Sequence, residues 1–161
     1  MAKEKTPVTA AVRQLRVENV TFSDHLYTYE EKGGTAASSR ELGLDEHAVI
    51  KTLVMEDERS RPLIVLMHGD LQVSTKELAR LIGVKQVSPC SAEAAQKQSG
   101  YLFGGTSPFG TRHQMPVYME ASIAVLPKMY INGGKRGYLV GMAPSELIRV
   151  LKPQTVTVGI R

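Results

Sequence analysis

The sequence predicts a mixed α+β fold, in which helices pack around a mixed sheet within a single domain spanning residues 1–161. Three observations carry this prediction. Segments with a helical apolar period and segments rich in β-branched and aromatic residues alternate irregularly, without the strict strand-helix repeat of a doubly wound parallel sheet. Two of the strand patterns are separated only by a short charged turn, as in a hairpin. Ser, Thr, Pro and Gly stand where helices start and stop.

The elements follow in order. Thr6 and Pro7 read as a cap and first helical residue, and Val8, Ala11, Val12 and Leu15 follow at the spacing of one helical face, which predicts a helix over 6–18. Val20–Tyr29 suits a strand, broken by Gly33 and Gly34, and Ala36–Leu42 reads as a short helix closed by Gly43. Val49–Met55 and Pro62–His68 are the hairpin strands around the turn Glu56-Asp57-Glu58-Arg59. Ser74 and Glu77 form a capping box, Leu78, Leu81 and Ile82 supply the apolar face of the helix it opens, and Gly83 ends that helix. A short strand over 86–88 leads to a cap at Ser91 and a helix through 92–98. A glycine-rich loop over 100–110 precedes strands at 117–119, 129–132 and 138–142. Pro144 and Ser145 open a last helix to Leu151, and 155–160 is a final strand, with residues 1–5 and the last one or two expected to fray.

Composition narrows the classes. The 161 residues are 42% apolar and 22% charged, which excludes wholesale disorder and fibrous chains. A chain of this length buries roughly 70% of its unfolded surface without a metal or disulfide. No apolar run reaches the ~20 residues of a membrane span, and the N-terminal segment has no apolar signal-peptide core, so the chain is expected in the cytoplasm with no membrane partner. Its one cysteine, Cys90, can form neither an internal disulfide nor a thiolate zinc site. A net charge of +4 is a mild excess, compatible with a phosphate-rich partner.

Three segments depart from routine core patterning. In Val49–Met55, Lys51 stands inside an apolar strand on the face of Leu53 and Met55. There it either snorkels to water or anchors an anion or carbonyl in a pocket. In the loop over 100–110, glycines permit close approach of backbone amides to a ligand, and Pro108 stiffens the chain. Phe103 and Phe109 flank the glycines, as in a loop folded over a pocket or carrying a stacking surface, although a long surface turn fits too. In 132–137, three glycines surround Lys135 and Arg136, suited to phosphate or to a plain charged hairpin turn. This is no P-loop, because Met129 and Arg136 occupy the positions where glycine and Ser or Thr are required.

Other candidates are weaker. His25, His47, His68 and His113 lack ligand spacing, so no metal or other cofactor is expected. Ser107 is not in a nucleophile elbow, because Phe109 occupies its closing glycine position. Cys90 lies just before a helix start, where a thiol pKa can fall, and otherwise packs as a small residue. With no evident base or nucleophile, an enzymatic activity would rest on positioning, backbone donors and the substrate's own groups.

These segments, in this order, resemble the YbaK/ProX family of free-standing aminoacyl-tRNA deacylases, related to the editing domain inserted in bacterial prolyl-tRNA synthetases. The residues that carry the resemblance are Tyr27-Thr28-Tyr29, Lys51-Thr52-Leu53, Ala95-Gln96, Ser99-Gly100-Tyr101-Leu102, Gly104-Gly105, Ser107-Pro108, Gly110 and Gly133-Gly134-Lys135-Arg136-Gly137. The resemblance spans nearly the whole chain. It implies a mixed, partly barrel-like sheet surrounded by helices, with a pocket for the 3′ acceptor end of a mischarged tRNA, no cofactor, and prolyl-tRNA synthetase as a working partner. It implies Lys51, Gly104 and Gly105 as the catalytic group, with Lys51 steadying phosphate or developing charge and the amides around Gly104 and Gly105 positioning the ester carbonyl. It implies Tyr29, Thr52, Tyr101, Ser107, Pro108, Asn132, Gly133, Gly134, Lys135, Arg136 and Leu139 as substrate-binding residues.

The activity so implied is clearance of Cys-tRNA(Pro), and of Cys-tRNA(Cys) in some members, by attack of the cysteine thiol on its own ester. Such a second sieve is needed because cysteine and proline are close in size. The chain departs from the family pattern at Leu139, in place of an aspartate, at Asn132, in place of a serine, and at a pocket phenylalanine position, which falls on Gly34 or is lost in a shorter loop. These departures bear on the amino-acid preference. Two other functions stay open on the sequence: hydrolysis of Ala-tRNA(Pro) or another aminoacyl-tRNA by a bound water, and a non-catalytic tRNA-binding module.

Overall fold

A computed structural model describes residues 6–161; the expected fraying of residues 1–5 falls outside it. Five helices are present among these residues: α1 (Ala10–Val17), α2 (Gly34–Leu42), α3 (Thr75–Ile82), α4 (Ala92–Ser99) and α5 (Pro144–Leu151). Ten strands accompany them: β1 (Ser23–Leu26), β2 (Val49–Asp57), β3 (Pro62–His68), β4 (Gln72–Val73), β5 (Val87–Pro89), β6 (Val117–Glu120), β7 (Met129–Lys135), β8 (Tyr138–Met142), β9 (Gln154–Val156) and β10 (Gly159–Ile160). Eight of the strands make one mixed sheet in the order β1-β8-β7-β2-β3-β6-β9, with β5 attached to β2. The order is open, with β1 and β9 at its two ends. β2–β3 is the expected antiparallel hairpin, whereas β2–β7, β3–β6 and β6–β9 are parallel. Among the described residues no helix is long and apolar enough to cross a membrane.

β3 is the axis of the core. Its run Leu63–His68 is buried throughout, the pattern of a strand covered on both faces. Side chains alternate across a strand, so Ile64 and Leu66 join one core with Ile50, Met119, Ile131 and Val140. Leu63, Val65 and Met67 join a second core with Met55, Leu78 and Val156. α1 seals the first through Ala11, Val12 and Leu15 and α3 the second through Leu78 and Ala79, whereas Val8 and Leu81, expected on those two faces, are exposed.

Several boundaries differ from the sequence expectation. α1 starts at Ala10 rather than at Pro7, because Thr9 is the cap: its Oγ1 accepts from Val12 N at 3.0 Å and donates to Gly133 O in β7. Tertiary contact thus overrides the Thr6-Pro7 signal. β1 is shorter than 20–29, because Val20 N donates back to Leu15 O at the helix end, while Tyr27 N donates to Gly137 O, outside the β1–β8 ladder. The expected final strand divides into β9 and β10, in different sheets. Glu120, buried at 4% exposure, accepts from Val158 N at 2.7 Å and Gly159 N at 2.9 Å and turns the chain between them. β10 then pairs with β4, so Ile160 is held rather than frayed and only Arg161 lies beyond the pairing. β4 and the 3₁₀ turns at Glu46–Ala48 and Ala121–Val125 had no distinct sequence signal.

Candidate functional site

β2 pairs with β7 only at Val49 and Ile50, and with β5 only from Met55 onward. Between those contacts one edge of the strand is left without a neighbour. A cavity of about 640 Å³ opens there. Its walls come from β2, from Tyr27 and Tyr29 beyond β1, from α2, from Pro89, Cys90 and Ala95, and from Phe103, Gly104 and Thr106 of the long loop. Most of the lining is apolar, including Val49, Ile50, Leu53, Val54, Met55, Val73 and Leu139. A few polar groups converge on it, as in small-molecule sites.

Lys51 is the first of these groups. It is half-buried, makes no ion pair among the described residues, and its Nζ donates only a long 3.5 Å contact to Gly69 O. Gly69 O also accepts from Thr35 Oγ1, whose hydroxyl lies 2.7 Å from Glu46 Oε2. Burial pushes the Lys51 ammonium below its ordinary pKa, against the opposing charges of Glu46 and Asp70. A half-buried cation without a partner is a place for an anion or a carbonyl oxygen.

Thr52 supplies the second. Its Oγ1 is the one buried side-chain polar atom without a hydrogen-bond partner among the described residues. Its main chain faces the gap. Gly69 N donates to Val49 O at 2.7 Å across the hairpin, and Val54 O accepts from Cys90 N at 3.1 Å on the other side. Ladder groups alternate, so Lys51 and Leu53 turn their N–H and C=O to β3, whereas Thr52 turns both to the open side.

The loop over 100–110 forms the roof and is tightly tied down. Phe109 is fully buried and Phe103 is 65% exposed, so only Phe103 is left at the mouth. Gly104 has φ +89°, and a Cβ there would stand 2.7 Å from the Tyr29 hydroxyl, so the loop backbone rests directly on that ring. Asn132 Nδ2 donates to Gly104 O at 3.1 Å, and Asn132 Oδ1 accepts from Gly134 N and Lys135 N. Arg136 Nε donates to Phe103 O at 2.7 Å, with its guanidinium 5.0 Å from the Tyr29 ring centre.

Of the residues implied by the resemblance, Lys51, Gly104, Tyr29, Thr52, Asn132 and Leu139 line the cavity. The others do not. Gly105 is buried, its N–H donates to Leu102 O at 2.8 Å, and a Cβ would meet Arg136 N at 2.8 Å. Its amide is therefore engaged within the loop. Tyr101 is buried with its hydroxyl donating to Phe109 O, and burial pushes its phenol up to about 12. Ser107 is fully buried and accepts from Phe109 N, and Pro108 is buried beside it. Gly133 lies against the Tyr138 ring and Gly134 near Tyr101 and Thr9. These residues build the loops and stand outside the cavity wall, while Lys135 and Arg136 are exposed at its margin.

Cys90 lines the cavity without a signal strong enough to have placed it there, and Gly34 lines it too, at a position where the resemblance implies a pocket residue. Burial raises the Cys90 thiol above its ordinary pKa and the Glu56 charge adds to this, the reverse of the activation its place before a helix suggested. His47, His68 and Asp70, far apart in sequence, come within 4.8 Å of one another. The two rings stack at 3.7 Å, His68 Nδ1 meets His47 O at 2.6 Å, and His68 Nε2 meets Ser122 Oγ at 2.7 Å. Both His68 nitrogens are thus engaged, so the cluster does not fit a metal site.

Comparison with known proteins gives a consistent relationship. Residues 30–150 match the family model of the aminoacyl-tRNA editing domain. The chain is 28% identical over 156 residues, covering 96% of it and 95% of the relative, to a protein of Enterococcus faecalis (strain ATCC 700802 / V583) named "Putative Cys-tRNA(Pro)/Cys-tRNA(Cys) deacylase EbsC". It is 32% identical over 120 residues to a proline–tRNA ligase of Thermodesulfovibrio yellowstonii, covering 74% of the chain but 20% of that much longer protein. Its fold matches a crystal structure titled as that of "a putative trans-editing enzyme for prolyl tRNA synthetase", with TM-score 0.81 and 18% identity over 97% of this chain and all of the other.

Proposed function

The chain belongs to the family of aminoacyl-tRNA editing domains, and from that premise we propose that it clears Cys-tRNA(Pro) by substrate-assisted cleavage of the aminoacyl ester. The observation that carries this reading is a largely apolar cavity that, among the described residues, holds an unpaired ammonium but no poised base or nucleophile. No histidine lines it, the Cys90 thiol is held protonated, and Glu30 is paired with Arg40 at 2.8 Å. The nucleophile must then arrive with the substrate. The relative EbsC, similar over nearly its full length, supports cysteine as the amino acid cleared.

In this mechanism the substrate Sγ attacks its own ester carbonyl carbon. The bond from that carbon to the ribose oxygen breaks, and the thiol proton passes to the departing oxygen. The products are a cyclic thioester and tRNA with a free terminal hydroxyl. Lys51 meets the negative charge of the terminal phosphate or of the developing oxyanion, and the Thr52 N–H and hydroxyl face the ester. Gly104 and Tyr29 close the roof over it. The cavity volume falls in the range that holds a whole small-molecule ligand, more than a cysteinyl group, so it takes the terminal nucleoside too. Prolyl-tRNA synthetase then supplies the choice of tRNA, a reading supported by the similarity to proline–tRNA ligase.

The test is a deacylation panel with Cys-tRNA(Pro), Ala-tRNA(Pro) and Pro-tRNA(Pro). Release of cysteine alone, with the thioester product trapped, is the expected result. Equal release of alanine would refute substrate assistance and leave hydrolysis by water. No release above the buffer rate would refute deacylation altogether.

A further inference from the structure

One aromatic side chain at the site has no structural employment. Phe103 is 65% exposed and Leu102 beside it 54%, on a loop whose other aromatics, Tyr101 and Phe109, are buried. The exposure is not that of a loose loop. The Phe103 carbonyl is held by Arg136 Nε, the turn beneath is closed by Gly105 N donating to Leu102 O, and Gly104 rests on Tyr29. A rigid backbone therefore presents an uncovered ring at the rim of a cavity that the same residue helps to line. The Arg136 guanidinium, hydrogen-bonded to Phe103 O, lies over the Tyr29 ring, and Lys135 adjoins it. Lys32 lies on the same rim.

A free π-face, cations within reach of it and a cavity behind form the combination that single-stranded nucleic acid uses, bases stacking on aromatics while the backbone follows positive charge. We propose that Phe103 is the stacking platform for an unpaired base of the acceptor tail, with Lys135 and Arg136 meeting the adjoining phosphates. This rests on the reading of the cavity as a site for the aminoacyl end, and it adds the residue that receives the chain leading into it. Stacking tolerates any base, so Phe103 supplies affinity for an unpaired tail without choosing among tRNAs.

The experiment measures binding of two fluorescent RNA hairpins, one ending in four unpaired nucleotides and one blunt, to the wild-type protein and to Phe103→Ala, Phe103→Leu and Phe103→Trp. Phe103→Ala should weaken binding of the tailed hairpin by about fivefold to a hundredfold, with blunt-hairpin binding and melting temperature unchanged. Phe103→Trp should restore binding, and Phe103→Leu, which is apolar without a π-face, should not. Wild-type affinity of Phe103→Ala for the tailed hairpin would overturn the proposal, as would an equal loss on both hairpins or full restoration by leucine. Dissociation of a dimer by Phe103→Ala in sedimentation would also overturn it, assigning the ring to a second copy of the chain. Deacylation is followed in parallel: Phe103→Ala should raise KM and spare kcat. Cleavage with an unaltered KM removes the platform but keeps the enzyme, whereas Phe103-dependent binding without cleavage does the converse.

Discussion

Replacing Thr52 by valine should stabilise the free protein while impairing it. The Thr52 hydroxyl is buried without a partner, and an unsatisfied buried polar group costs roughly 1–3 kcal/mol. Valine has nearly the same shape, so the substitution removes the unpaired oxygen without opening a cavity. The added methyl takes back part of the gain through tighter packing, leaving about 1 kcal/mol. For a domain of this size that is a rise of about 2–4 °C in melting temperature. The main-chain N–H of Thr52 persists in the variant, so the functional loss is that of one neutral hydrogen bond to the ligand. Such a bond is worth about 0.5–1.5 kcal/mol, or about 2- to 13-fold in kcat/KM. Thermal melts and steady-state deacylation of Cys-tRNA(Pro) measure both, with Thr52→Ser, which keeps the hydroxyl, as the control that retains activity. A valine variant that melts lower and cleaves at the wild-type rate would show that the hydroxyl is satisfied internally and plays no part in the site.

Lys51→Met should abolish most deacylation without lowering the melting temperature at pH 7, because the fold loses an ammonium that burial penalises; a fall of several degrees would show that the lysine is structural. The folded-state pKa of Lys51 is depressed, so its penalty on the fold is full below that pKa and fades as pH rises toward the ordinary 10.5. The melting difference between Lys51→Met and wild type should therefore narrow in alkaline solution, which scans from pH 7 to 10.5 would detect. Cys90, with its thiol pKa raised by burial, should react with iodoacetamide at pH 7.5 more slowly than a free cysteine, read by mass spectrometry, and more slowly still when a tRNA end occupies the cavity. Tyr101→Phe leaves the buried Phe109 carbonyl without its phenol donor and should cost about 1–3 kcal/mol in chemical denaturation; an unchanged midpoint would mean that the loop is anchored elsewhere.

The elements were largely legible because their signals are local. The Ser74 and Ser91 caps and the closing Gly83 each act within a turn or two and appear in the structure, as do the apolar faces of α1 and α3 except at Val8 and Leu81, which are exposed. Long-range contacts decided the remainder: the bond from Thr9 to Gly133 displaced the start of α1, and the Glu120 carboxylate split the last strand. The site divides along the same line. Lys51 could be singled out because a charge in an apolar strand is conspicuous on its own. The exposure of Phe103 and the burial of Phe109 could not be separated, since both flank the same glycines and only packing tells them apart. Gly105 and Ser107 resembled ligand-facing residues, yet their N–H and hydroxyl are consumed within the loop. The lone edge of β2 had no signal at all, being a consequence of where β5 and β7 join it.

That unpartnered stretch has a consequence for how the molecule behaves in company. A bare strand edge ordinarily invites another chain to zip onto it and begin an aggregate. Here the opening is only residues 51–54, roughly 13 Å of strand, and it is shut at one end by β7 and at the other by β5. An intruding strand of the usual five or six residues, roughly 17–20 Å, has no room to lie down between them. The protein can thus keep main-chain groups unsatisfied at the heart of its sheet, open to a small guest and closed to its own kind.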